Sequence, residues 1–278
     1  MAMAAAGPPG RPPFGSLVSF LFGAGQRETL PGKALVVLAG EYGVPEPSVR
    51  SGLARLIRQG SLVSARRGRA ADYTLTGPML ASFRRARSAA EQGSAGPTTE
   101  PWGGGFHALL YTVPEQERSF RDRLRRTARM AGYAPLGAGL MICPRPRWEE
   151  IEALVSGAPP LARVSSAELR MDIADARRAA TEAWELDTIA RRQRLQADQL
   201  AEAVDAEGEL APDAGTLRRH IDLTLPVYQA FAHDPHLPAE LLPQDWPGPQ
   251  LAENLGRLRG RYGAAAREHV TAAIEAAG

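Results

Sequence analysis

Residues 40–76 read GEYGVPEPSVRSGLARLIRQGSLVSARRGRAADYTLT, and their pattern decides the fold of the N-terminal part of the chain. Gly40 and Gly43 punctuate a short turn, and Pro47 suits the first turn of a helix, where its missing N–H has no intrahelical partner. At about 100° per residue, Val49, Leu53, Leu56 and Ile57 fall on one side of that helix, and Gly60 ends it. Ser51, Arg55 and Arg58 lie directly opposite, Ser48 sits near the exposed side at the N-terminal end, and Arg50 lies on the flank. One side of the helix is anchored by apolar burial. The other offers hydroxyls and guanidinium groups, which a helix in a DNA major groove needs for base edges and phosphates.

Working outward, Leu17, Val18, Phe20, Leu21 and Phe22 predict a short apolar helix. Pro31 starts a second helix carrying Ala34, Leu35, Val37 and Leu38. Downstream, Leu62-Val63 and Tyr73–Leu75 read as two strands around an arginine-glycine tip, Arg66, Arg67, Gly68 and Arg69. Two helices, a glycine-bearing turn, a third helix and a basic hairpin make a winged helix-turn-helix. The hairpin tip would lie on the DNA backbone or in a minor groove, where arginine is electrostatically favoured. Thr76 is placed to cap a further helix over Gly77–Ala90. The base-contact candidates are Ser48, Ser51 and Arg55, and the backbone or minor-groove candidates are Arg50, Arg58, Arg66, Arg67 and Arg69.

Charge follows the same division. Residues 1–92 carry twelve basic and five acidic groups, a balance of +7, against −5 for the remainder. A basic head on an acidic body is the footprint of a nucleic-acid-binding module joined to a regulatory one. Lys33 is the only lysine, so the placement of arginines carries the argument, not their identity.

The whole chain has 278 residues, 44% hydrophobic and 23% charged, which excludes general disorder and suggests two or three domains. Cys143 alone cannot form an internal bridge, which fits a reducing cytoplasm. No purely apolar run exceeds six residues, the length of Ala34–Ala39, far too short for a membrane span. The stretch before Phe14 reads as a loose tail, not a leader. Glu91–Pro101, rich in Gly, Pro, Ser and Thr, reads as a linker. After it, strands at Phe106–Val113, Leu140–Ile142 and Ala162–Val164 alternate with helices at Glu115–Ala131 and Trp148–Leu154, which predicts a small ferredoxin-like domain. A second joint is expected near Ser165–Met171. Beyond it the chain is mainly helical, apart from the proline-rich Asp234–Pro249. The expected architecture is therefore α+β: a winged-helix domain over 14–90, a linker over 91–101, a central α+β domain over 102–170 and a helical regulatory domain over 171–278.

Three stretches carry a family resemblance. The first is Val49-Arg50, Leu53-Ala54-Arg55-Leu56 and Gly60, with Arg66–Arg69 and Tyr73-Thr74-Leu75-Thr76. The second is Arg121–Met130, leading into Leu136-Gly137-Ala138-Gly139-Leu140 and Pro144. The third and most specific is Asp234–Gly248, DPHLPAELLPQDWPG. On these the chain resembles the PaaX family of bacterial transcriptional repressors, although Gly132-Tyr133-Ala134 stands where the family has Gly-Phe-Gly. The resemblance implies a central domain similar to Cas2, a homodimer on a palindromic operator, and release of DNA by an acyl-CoA effector such as phenylacetyl-CoA.

Other features weigh less. Gly103-Gly104-Gly105 precedes a strand, the wrong geometry for a phosphate cradle at a helix N-terminus. His233 and His236 are separated by Asp234-Pro235, so no metal site is expected. Cys143 reads as a buried small hydrophobe, and no catalytic residue or resident cofactor is expected. A nuclease built on the central domain would need carboxylates at the end of its first strand, where Thr112-Val113-Pro114 stand. A winged helix serving a protein partner is the other alternative. Arg121, Arg125 and Arg129, with Arg118 on the same helical face, suit phosphates of a CoA ester or flanking DNA. Trp246, in the proline-rich stretch, is the remaining effector candidate.

Overall fold

The computed structural model describes residues 12–68, 70–92, 101–232 and 234–277. The N-terminal tail up to Arg11, most of the expected linker, Arg69 and His233 lie outside the described residues. The chain is mixed α/β with two antiparallel sheets. It divides into two compact units, Met1–Ala95 with Leu195–Ala232 and Gln250–Gly278, and Gly96–Arg194 with His233–Pro249.

In the first unit, helices α1 (Phe14–Gly25), α2 (Gly32–Glu41) and α3 (Glu46–Arg58) are followed by strands β2 (Leu62–Arg67) and β3 (Ala70–Leu75) and helix α4 (Gly77–Gln92). Strand β1 (Thr29–Pro31) pairs antiparallel with β3, giving the order β1-β3-β2. Sequence alone did not reveal β1, because three residues ending in proline show no alternation. Pro31 closes that strand and is also the N-cap of α2. The expected apolar faces are buried except at Val37 of α2, which is exposed: Leu17, Leu21, Leu35, Leu38, Val49, Leu53 and Leu56 form one core with Leu62 and Leu75 of the hairpin.

Two later helices complete this core. Leu217, Ile221 and Leu225 of α9 (Ala214–Ala232) and Ala266, Val270 and Ile274 of α10 (Gly248–Ala277) belong to the same cluster. The 171–278 stretch, read from sequence as one helical domain, is thus divided between the units. An amphipathic stripe announces that a helix face is buried, not against what.

In the second unit, β4 (Gly105–Thr112), α5 (Arg118–Met130), β5 (Ala134–Gly137), β6 (Leu140–Cys143), α6 (Glu149–Ser156) and β7 (Arg163–Arg170) follow in order, and the sheet runs β5-β6-β4-β7. Alternate residues feed its two faces. Leu109, Met141 and Cys143 pack with Phe120, Leu124, Ala128 and Ile151 of α5 and α6. Phe106, Ala108 and Ile142 pack with Ala176 and Ala180 of α7 (Ile173–Trp184) and with Leu237 and Leu241 of the proline-rich stretch. Asp172 caps α7, its carboxylate accepting from the Asp175 amide at 2.9 Å.

The joint expected at Ser165–Met171 is corrected: most of it is β7, paired with β4 from Gly105↔Arg170 to Thr112↔Arg163. As an edge strand with mostly exposed side chains, it lacks the apolar alternation that marks a half-buried strand. The remaining helix, α8 (Leu186–Asp205), contributes residues to both units. No helix among the described residues is long and apolar enough to cross a membrane.

Candidate nucleic-acid interface

The interface is built on α3. Glu46 in its first turn and Arg55 and Arg58 in its last complement the helix dipole. Val49, Gly52, Leu53 and Leu56 are buried, whereas Ser48, Arg50, Ser51, Ala54, Arg55 and Arg58 are exposed. Gly52 lets α1 come close: a Cβ there would lie 2.4 Å from Cδ1 of Phe14. Phe14, Tyr42, Val44 and Pro45 wall a cleft of about 290 Å³ that also exposes Ser48, Ser51 and Arg55. The three base-contact candidates are therefore brought to one concave, partly apolar surface.

The exposed residues of α3 are not equivalent. Arg50 donates from Nε to Glu46 Oε1 at 2.9 Å, one turn earlier, and its Nη2 closes the same ion pair. Ser51 Oγ donates to the Ser48 carbonyl at 3.1 Å. Arg55 and Arg58 make no ion pair with the described residues, so they are the free cations of the helix.

The hairpin begins where α3 stops. Thr76 Oγ1 donates to the Gly60 carbonyl at 3.0 Å, and the Thr76 amide donates to Ser61 at 2.9 Å. The expected capping hydroxyl thus ties the end of the hairpin to the end of α3. Pairing continues from Leu62↔Leu75 to Arg67↔Ala70, with Gly68 in the left-handed region (φ 63°) at the tip. Arg66 is exposed on β2; the Arg67 side chain and Arg69 lie outside the described residues. On α4, Arg84 is held by Glu28 through two hydrogen bonds of 2.8 and 3.0 Å. That contact keeps the Glu28 carboxyl below its ordinary range and removes Arg84 from the free cations.

The effector candidates do not converge. Arg121 pairs with Glu115 at 3.0 Å, Arg125 is half-buried with its Nε unpartnered among the described residues, and Arg129 is exposed; all three ride on α5. Trp246 packs in the cluster on the opposite face of the sheet, with Trp102, Trp184 and Phe106. Gln193 Nε2 fixes the strap that bears Trp246 by donating to Asp234 at 2.9 Å, and Arg177 Nε donates to the Glu240 carbonyl at 2.7 Å. Cys143 is 3% exposed, and burial pushes its thiol up.

Two features of the interface escaped the sequence reading. The Glu46–Arg50 pair was legible as an i, i+4 spacing. Tyr42 as a cleft wall was not, because nothing local distinguishes it from an ordinary helix-end aromatic.

Three family descriptions match successive parts of the chain: PaaX-like protein over residues 13–79, PaaX protein central Cas2-like domain over 99–180, and PaaX-like protein C-terminal domain over 184–272. The transcriptional repressor PaaX of Escherichia coli (strain K12) is 29% identical over 231 residues, 77% of this chain and 68% of that protein. The solved structure of the uncharacterized protein Rv0674 from Mycobacterium tuberculosis matches with a TM-score of 0.60 and 24% identity, over 92% of this chain and 96% of that one. That last likeness is one of fold. Together the three matches run from residue 13 to residue 272. The chain belongs to the PaaX family of transcriptional repressors.

Proposed function

We propose that this chain is a cytoplasmic DNA-binding repressor that reads a palindromic operator as a homodimer through a winged helix formed by α1–α3 and the β2–β3 hairpin. One observation carries the reading. Along α3 a fully packed stripe, Val49, Leu53 and Leu56, stands opposite exposed Ser48, Ser51, Arg55 and Arg58, and a basic hairpin follows directly. The E. coli relative is named a transcriptional repressor, which agrees.

Ser48, Ser51 and Arg55 are assigned to base edges, with Arg55 giving two parallel bonds to one guanine. Arg58, Arg66, Arg67 and Arg69 are assigned to phosphates or the minor groove. Arg50 joins them by exchanging Glu46 for a phosphate. Two copies of α3 would occupy successive major grooves about one helical turn apart. The βαββαβ order of the second unit and its β5-β6-β4-β7 sheet support a ferredoxin-like central domain.

The effector is an acyl-CoA ester such as phenylacetyl-CoA, which lowers DNA affinity by binding the released state more tightly than the bound one. Its phosphates suit Arg121, Arg125 and Arg129 on α5. Trp246, the other effector candidate, packs on the opposite face of the sheet from these arginines. Footprinting on the chain's own upstream DNA, with and without a panel of acyl-CoA esters, tests the reading. Protection of a two-fold symmetric site that one ester abolishes supports it; uniform coverage of any duplex contradicts it.

A further inference from the structure

The two last residues before the α2–α3 turn reach two different C-terminal helices. Tyr42, the C-cap of α2 and 7% exposed, donates its hydroxyl to Asp222 Oδ1 on α9 at 2.5 Å. Glu41 Oε2 lies 2.8 Å from His269 Nε2 on α10. Arg218, one turn before Asp222, sets its guanidinium 5.8 Å from the centre of the Tyr42 ring. These partners are separated by 180 and 228 residues, so no local requirement of α2 produces them.

The other side of Tyr42 is rigidly joined to the reading helix. Only Gly43, Val44 and Pro45 intervene before α3, and the Gly43 and Val44 amides donate back to Gly40 and Ala39 at 2.8 and 2.9 Å. Tyr42 also forms part of the cleft that exposes Ser48, Ser51 and Arg55. The receiving helix is braced in turn. Pro226 has no N–H to offer the Asp222 carbonyl one turn back, and Gln196 of α8 donates to the Pro226 carbonyl at 3.1 Å.

We propose that Asp222 and His269 are positioning residues for operator reading: by holding Tyr42 and Glu41 they fix the attitude of α3, so that α9 and α10 set sequence-specific DNA binding. The inference rests on the DNA-binding reading above. Base readout requires side chains placed to within a fraction of an ångström, whereas phosphate attraction tolerates displacement. Loosening the end of α2 therefore removes the first and spares the second.

The test uses the full-length chain. Wild type first selects an operator fragment from genomic DNA, and affinities are then measured for that fragment and for a shuffled duplex of equal length at one salt concentration. Asp222→Ala and His269→Phe are each expected to weaken operator binding about tenfold, the scale of one lost hydrogen bond, with affinity for the shuffled duplex within about twofold of wild type. Tyr42→Phe, which keeps the ring, should reproduce the Asp222→Ala loss, and the double variant should be no worse than either alone. Melting curves verify that each variant is folded. Operator affinity unchanged in both Asp222→Ala and His269→Phe overturns the inference, as do equal losses on both duplexes. A wild type that selects no operator overturns the DNA-binding reading itself, a separate outcome seen before any variant is made.

Discussion

Arg55 and Arg50 look alike in sequence, five residues apart on one helix, yet they stand differently. Arg50 is held by Glu46, and Arg55 is free on the cleft that exposes Ser48 and Ser51. Arg55→Ala is therefore expected to cost about 1–3 kcal/mol of operator affinity and to relax specificity at one base position. Competition binding against single-base operator variants checks it; an equal loss on every sequence would assign Arg55 to the backbone. At Gly52 the constraint is steric. Ala there would press on Phe14, and overpacking of this kind costs about 1–3 kcal/mol, read as a lower denaturant midpoint. The face of α3 was fully legible in sequence because 3.6-residue periodicity is a local property. The Tyr42–Asp222 bond was not, since it is decided by how distant helices pack.

If the β2–β3 hairpin lies on DNA as proposed, it acts through charge in proportion to its phosphate contacts. Neutralising Arg66, Arg67 and Arg69 together should reduce the slope of log affinity against log salt by about 2.7 per protomer, about 5.4 for the dimer, if all three meet phosphates. Measurement by salt titration leaving the slope unchanged would remove the hairpin from the interface. Among the elements, α1, α3, β4 and α5 were readable because each carries a clear apolar face or run ended by Gly or Pro. Strands β1 and β5 were missed because each is short and contains a proline, Pro31 and Pro135. Only the start of β7, Arg163-Val164, is legible as strand, because from Ser165 on its Ser, Glu and Arg residues face solvent along the sheet edge. Of the candidate site, the reading helix and the basic tip are legible from local pattern, while the apolar cleft beneath them depends on α1 and the α2–α3 turn meeting in space.

At the scale of the molecule, the reading helices share one core with α9 and α10, and His220 lies at that junction. It is 7% exposed, with its ring 5.2 Å from Phe20 of α1 and 5.9 Å from Tyr262 of α10, and neither ring nitrogen has a hydrogen-bond partner among the described residues. Burial pulls its pKa down to about 4 from 6.5. The unfolded chain therefore takes up this proton first on acidification. Stability should be intact above pH 6.5 and fall by about 3 kcal/mol as pH drops toward 4. Denaturant titrations across that range should show the loss in wild type and a flatter profile in His220→Phe. An identical profile in the variant would place the titration elsewhere.

On the proposed function, α3 and its hairpin read a defined duplex sequence. The most direct measurement is quantitative footprinting of the chain on its own upstream region at physiological salt. Two protected half-sites related by a dyad, with centres about one helical turn apart, are predicted, and Arg55→Ala should lose the pattern before it loses DNA affinity. Protection without sequence preference, or none at concentrations that saturate non-specific sites, would contradict the account.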